Sequence, residues 1–265
     1  MTVPSTPPMP PRATPPVAPP PPPPIPPERS VPAIRWGMGD VVIGLVLWVL
    51  GGFVAVVVLL AMGDDTSSLT DLSLGALTVS LVSGWFGLLG WPIVATWRKG
   101  QRSLALDFGL GIVPIDLAWG LLGGFVALVV SATGSALWTV FSQSSVPTNT
   151  DFLPERPGAA TVIALVVLVG VCTPIVEELF FRGLLLRSVG RRWNLTVGVI
   201  VSSIVFGMLH VQGSTWAEAL FMLGVTAAYG AVFALLVVRA GGRLGAAIVA
   251  HMCVNVVGVL ATVLA

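Results

Sequence analysis

The chain has 265 residues, 55% of them hydrophobic and only 9% charged, with a formal net charge of +1. That balance describes a polytopic membrane protein and excludes an ordinary soluble globular domain. The small net charge, without a basic run outside short loops, argues against a nucleic-acid partner, and Cys172 and Cys253 both fall in apolar runs, where packed thiols are expected instead of a disulfide framework.

Residues 1–35 hold 16 of the chain's 22 prolines, including the run Pro19 to Pro24, so they read as an unpacked polyproline-type tail. The tail lacks the apolar core of a secretory signal, and Arg12, Arg29 and Arg35 favour keeping it in the cytoplasm. It serves as a spacer or as a ligand for a proline-recognising partner. From Trp36 to the end, apolar runs alternate with short polar breaks. Their lengths predict an all-α membrane helix bundle of about seven spans, at 38–62, 72–97, 115–141, 159–186, 195–211, 217–238 and 244–264. Arg98, Lys99, Arg102, Arg187, Arg191, Arg192, Arg239 and Arg243 gather in loops on the tail's side. The opposite loops carry Asp64, Asp65, Asp71, Asp151 and Glu155, with Arg156 their one basic residue. The positive-inside rule then places the tail inside and the C-terminus outside. Trp36, Trp97 and Trp193 mark one interface and Trp138 and Trp216 the other.

No internal repeat or phosphate-binding glycine loop is present. Gly120, Gly123 and Gly124, and Gly241, Gly242 and Gly245, are expected to permit close helix approach. The first three spans read as scaffold.

The fourth span carries the costly residues. Glu177 and Glu178 sit next to a long apolar run, and a charged side chain at mid-membrane costs roughly 2.5–3.5 kcal/mol on insertion scales. Pro174 has no N–H to offer the Gly170 carbonyl, which predicts a kink beside the carboxylates. Glu178 and Arg182 are four residues apart on one helix face, at the spacing for an ion pair, whereas Glu177 lies about 100° round the helix. An ion pair that pins two helices together is the purely structural reading; Glu177 is the carboxylate it leaves over.

The only two histidines, His210 and His251, also fall in predicted spans. Phe206 lies four residues before His210, and Asn255 four residues after His251. A single membrane histidine is often no more than an interhelical hydrogen-bonder. Glu177, His210, His251 and Asn255 together, from three apolar helices, favour chemistry.

Glu-Glu-x-x-x-Arg at 177–182, Phe-x-x-x-His at 206–210 and His-x-x-x-Asn at 251–255, in that order and flanked by Thr-Pro-Ile-Val and Phe-Phe-Arg-Gly, resemble the CAAX-protease and bacteriocin-processing (CPBP, or Abi) family. The resemblance runs from Thr173 to Val256. It implies a CAAX-protease-like fold for residues 36–265, with a motif-bearing core at 159–265, and an intramembrane endopeptidase acting on a membrane-associated protein or peptide. By position it makes Glu177 the general base and His210 its helper in activating water. His251 and Asn255 become the oxyanion donors, with Glu178, Arg182 and Phe206 in support. Donors aimed at a developing oxyanion act strongly where water is scarce. One glutamate and two histidines also match a catalytic zinc set. No HExxH spacing enforces it, and metal-independent activation, with no cofactor, is the favoured reading. The alanine-, valine- and glycine-rich composition hints at a bacterial cell membrane.

One geometric difficulty accompanies this assignment. At about 1.5 Å per residue, Glu177 lies ~15 Å from Arg187 and His251 ~12 Å from Arg243, but His210 lies ~27 Å from Arg192. The fifth helix should therefore begin inside the protein, with Arg187 to Trp193 folding inward, or tilt strongly. Two other classes stay open. One is a catalytically silent family member acting as a scaffold or immunity-type factor; the other is a proton-coupled carrier, against which stands the absence of inverted repeats.

Overall fold

The structure is a computed structural model and describes residues 33–63, 72–154, 157–211 and 215–264. The proline-rich tail through Pro32, and Asp64, Asp65, Asp71, Glu155 and Arg156, lie outside the described residues. All regular structure among the described residues is helical.

Among the described residues, six helices are long and apolar enough to cross a bilayer: α1 (Met38–Met62), α2 (Leu74–Lys99), α4 (Pro114–Ser142), α5 (Ala159–Arg192), α7 (Trp216–Arg239) and α8 (Gly245–Val263). The short α3 (Leu104–Phe108) links α2 to α4. The outer faces are apolar, with Phe53 66% and Val57 65% exposed on α1. Such faces suit lipid and not water.

The seventh expected span, 195–211, is instead the 14-residue α6 (Leu195–Met208). At 1.5 Å per residue it reaches about 21 Å, short of the roughly 30 Å hydrocarbon core. Nor does Arg187 to Trp193 fold inward; α5 continues as helix through Arg192. That extension removes the difficulty in depth, because Glu177 then lies fifteen residues before the end of α5 and Met208 thirteen residues after the start of α6, each about 20 Å from the same end. The element that starts beneath the surface is α8. Leu244, Ala246 and Ala247 are buried, and the Leu244 N–H donates to the Gly109 carbonyl at 2.9 Å.

Two aspartates fasten the basic end of the bundle. Asp40 accepts from the Gly37 N–H, 3.0 Å, which satisfies a free donor at the start of α1. It also pairs with Lys99 of α2 at 2.8 Å. Asp116 accepts from the Val113 N–H at 3.0 Å and pairs with Arg243 at 3.1 Å. Gly120 and Gly124 let α4 touch α8: a Cβ there would stand 2.5 Å from Val249 Cβ and 2.7 Å from Cys253 Cβ. Gly241 and Gly242 do something different from the expected close packing. They take φ of 64° and 96° in the turn between α7 and α8, where glycine has no Cβ to clash.

Candidate active site

The site is built around α5, whose helical register changes twice. A π-helical stretch at Val166–Cys172 precedes the turn Thr173–Glu178, and a second, Leu179–Leu185, follows it. Pro174 explains the first. In π register its missing N–H is the partner of the residue five positions back, so the carbonyl freed is that of Val169, one residue from the expected Gly170. Thr173 Oγ donates to the Leu168 carbonyl at 3.0 Å. The Val169 carbonyl is taken by Asn255 Nδ2 of α8, also at 3.0 Å. Asn255 thus meets the wall of the site through a backbone bond that commits one of its two amide hydrogens.

Past this opening, the two glutamates diverge. Glu178 is fully buried and accepts from Arg182 Nη1 at 2.7 Å. Arg182 is equally buried, donates to the Gly230 carbonyl of α7 at 3.0 Å, and lies 4.5 Å from the centre of the Phe206 ring. A buried ion pair needs such further contacts to offset its desolvation, and they are incomplete here: Glu178 Oε2 and Arg182 Nε are buried with no hydrogen-bond partner. The same Glu178 oxygen, Oε1, lies 3.0 Å from Nδ1 of His251. This contact spans 73 residues and has no local signal in the sequence.

Glu177 faces the other way, with its side chain 14% exposed. Its Oε2 is buried without a hydrogen-bond partner and stands 3.7 Å from Nε2 of both His210 and His251. His210 lies beyond the end of α6, in the turn at Leu209–His210, and not within a span. Its N–H donates to Gly207 O at 3.0 Å and its Nδ1 lies 2.7 Å from Phe206 O. A carbonyl can only accept, so Nδ1 of His210 carries the hydrogen; the Glu178 carboxylate assigns His251 Nδ1 the same way. Each imidazole is therefore oriented through Nδ1 and turns Nε2 toward one carboxylate oxygen.

Aromatic rings close the back of the site. Phe206 lies 4.4 Å from the His210 ring and 5.5 Å from that of His251, and Phe233 stacks on His251 at 4.8 Å. Phe206 was expected in support; Phe233 was not, since one aromatic in an apolar helix does not stand out. A gap of 3.7 Å exceeds a direct N···O hydrogen bond, and it leaves room for a small proton-carrying group between the carboxylate oxygen and the two ring nitrogens. Among the described residues no set of three His, Cys, Asp or Glu side chains is disposed to hold a metal ion.

Residues 159–257 match the family described as "Type II CAAX prenyl endopeptidase Rce1-like". Among curated proteins, 161 residues, 60% of this chain, align at 28% identity with the Bacillus subtilis (strain 168) protein named "Putative membrane peptidase YdiL". The alignment covers 59% of that relative, so this chain spans under two thirds of its length. No solved structure matches. The matched segment contains Glu177, His210, His251 and Asn255, and it bears out the resemblance drawn from the three motifs.

Proposed function

We propose that this membrane protein, whose residues 159–257 belong with the CAAX-protease-like membrane peptidases, hydrolyses a peptide bond in a membrane-associated protein or peptide. The observation that carries the reading is Glu177 Oε2, buried, without a hydrogen bond, and 3.7 Å from two imidazole nitrogens that other groups hold in place.

In this mechanism a water molecule donates its hydrogens to Glu177 Oε2 and His210 Nε2, which leaves an oxygen lone pair to attack the scissile carbonyl carbon. Glu177 takes the proton as the new C–O bond forms. His251, doubly protonated with Glu178 against Nδ1, donates from Nε2 to the oxyanion, and the uncommitted amide hydrogen of Asn255 is the second donor. Collapse of the intermediate breaks the C–N bond, and the proton held by Glu177 passes to the leaving nitrogen. The products are one new carboxylic acid terminus and one new amine, which together hold the oxygen and both hydrogens of the water consumed. Neither step requires a metal or cofactor.

The test is cleavage by purified full-length protein in proteoliposomes, with substrates first sought by comparing membrane peptide profiles of cells carrying the native chain and Glu177→Ala. Loss of cleavage in correctly inserted Glu177→Gln and His210→Ala supports the reading. Undiminished cleavage by either variant refutes it, and a biological effect retained by both with no cleavage anywhere identifies a scaffold.

A further inference from the structure

A second polar feature lies about 15–20 Å along α5 from the candidate active site, at the basic end of the bundle. A cavity of about 340 Å³ opens there, lined by Arg187, Arg191, Trp36, Asp107, Leu106 and Leu195 among others. That volume falls at the low end for small-ligand pockets, enough for a headgroup and not for a whole lipid.

The charges in this cavity are unbalanced. Arg187 and Arg191 are four residues apart on α5, so two like charges share one helix face, an arrangement that is destabilising unless something answers it. Among the described residues neither guanidinium forms an ion pair. Asp107, the one carboxylate in the lining, accepts from Trp36 Nε1 at 3.0 Å and the Gln101 N–H at 2.9 Å; it attracts both guanidiniums through space without pairing with either, which leaves two positive charges to one negative. Arg191 lies over the Trp36 ring, its guanidinium carbon 3.6 Å from the ring centre, with Nη2 donating to the Trp36 carbonyl at 2.6 Å. Arg187 donates from Nη2 to the Gly242 carbonyl. Its Nε is buried with no hydrogen-bond partner, and a buried donor left unmatched is costly. Two guanidiniums anchored by one arm each, with further N–H groups unspent, form a cradle for a tetrahedral anion.

The rim separates a lipid from a free ion. Leu106 and Leu195 are 64% and 50% exposed, and Trp193, two residues before Leu195 in the chain, is 57% exposed, as an aromatic at the headgroup level would be. A cationic floor under an apolar, lipid-facing rim matches a phosphodiester with acyl chains attached, and basic pockets between membrane helices bind anionic headgroups in this way. We infer that this cavity is a binding site for the phosphate headgroup of an anionic phospholipid, held by Arg187 and Arg191 with its chains along Leu106 and Leu195.

The test uses purified full-length protein in neutral detergent, offered an equimolar mixture of phosphatidylglycerol and phosphatidylcholine, with bound lipid measured by native mass spectrometry. The native chain should retain phosphatidylglycerol over phosphatidylcholine by about tenfold, one decade of affinity per site. Arg187→Gln should abolish that preference. Leu106→Asp should do the same by placing a negative charge on the rim, and it disturbs no side-chain hydrogen bond, so it decides the matter if Arg187→Gln fails to fold. Preference unchanged in Leu106→Asp overturns the inference. So does displacement of the lipid by millimolar inorganic phosphate, which would mark the cavity as a site for the free anion.

Discussion

Glu178 Oε1 lies within hydrogen-bond distance of both Arg182 Nη1, 2.7 Å, and His251 Nδ1, 3.0 Å. One buried carboxylate oxygen thus ties the ion pair inside α5 to an imidazole of α8. Removing its charge therefore does two things. Glu178→Gln should lower thermal stability, because a buried arginine left without its partner costs roughly 3–5 kcal/mol. It should also lower kcat about 10- to 100-fold, the usual penalty for losing a group that orients a working histidine, with KM little changed. Denaturation curves and steady-state cleavage of one verified substrate measure the two separately; a stability loss with unchanged kcat would reduce Glu178 to a structural role.

Glu177 should behave in the opposite sense. Its Oε2 makes no hydrogen bond and stands 3.7 Å from each imidazole, so Glu177→Gln removes a partly buried charge without breaking a direct bond. Thermal stability should stay level or rise, while cleavage falls by about 10² to 10⁴, the range for a general acid–base group. A variant that loses stability as well as activity would place Glu177 among the structural residues.

Much of this arrangement is legible in the chain. The apolar run at 38–62 coincides with α1, Met38–Met62, because in lipid the length and apolarity of a run nearly determine a helix. The ion pair of Glu178 with Arg182 follows from spacing alone, since four residues return to the same helix face. The contact of Glu178 with His251 does not, because nothing local links positions 73 apart. Likewise α6 stops at Met208 although the apolar sequence runs on to Val211; the turn that points His210 inward is a tertiary preference. The freed carbonyl belongs to Val169 and not Gly170 because α5 is in π register there, and that one-residue shift has no marker beyond Pro174.

Asn255 offers a way to separate structure from chemistry at the proposed oxyanion site. Its Nδ2 bond to the Val169 carbonyl leaves a partly buried acceptor unmatched in Asn255→Ala, a loss of about 1 kcal/mol, the low end for an unmade hydrogen bond. If its other amide hydrogen also serves the oxyanion, kcat should fall by about 10² to 10³. Assays well below the melting temperature distinguish the two, since the stability loss then leaves the folded fraction intact. A full kcat under those conditions would remove Asn255 from the chemistry and leave it as the residue that answers the π-helical carbonyl.

The proposed metal independence has a direct measurement. No group of three His, Cys, Asp or Glu among the described residues is disposed to hold a metal ion, and the proposed steps use none. Cleavage by the purified protein should therefore survive prolonged incubation with millimolar 1,10-phenanthroline, and elemental analysis should find no stoichiometric zinc. Activity lost to the chelator and restored by zinc would instead make Glu177, His210 and His251 metal ligands, with the site geometry shifting on loading.

The contact of α4 with α8 should control the site from a distance. A Cβ at Gly120 would stand 2.5 Å from Val249 Cβ and 2.9 Å from the Ala246 carbonyl oxygen, and backbone cannot yield as a flexible side chain can. Gly120→Ala must then push the two helices apart near His251, at about 1–3 kcal/mol for overpacking. A displacement of the order of 1 Å at a reacting group can lower a rate about 100-fold, so cleavage should drop although position 120 is remote from the chemistry. Gly258→Ala is the matched control on α8 itself, because its Cβ would meet nothing within 4 Å; it should leave activity unchanged and stability unchanged or slightly higher, as alanine favours a helix over glycine. Equal activity in the two variants would show that the α4–α8 contact does not set the position of His251.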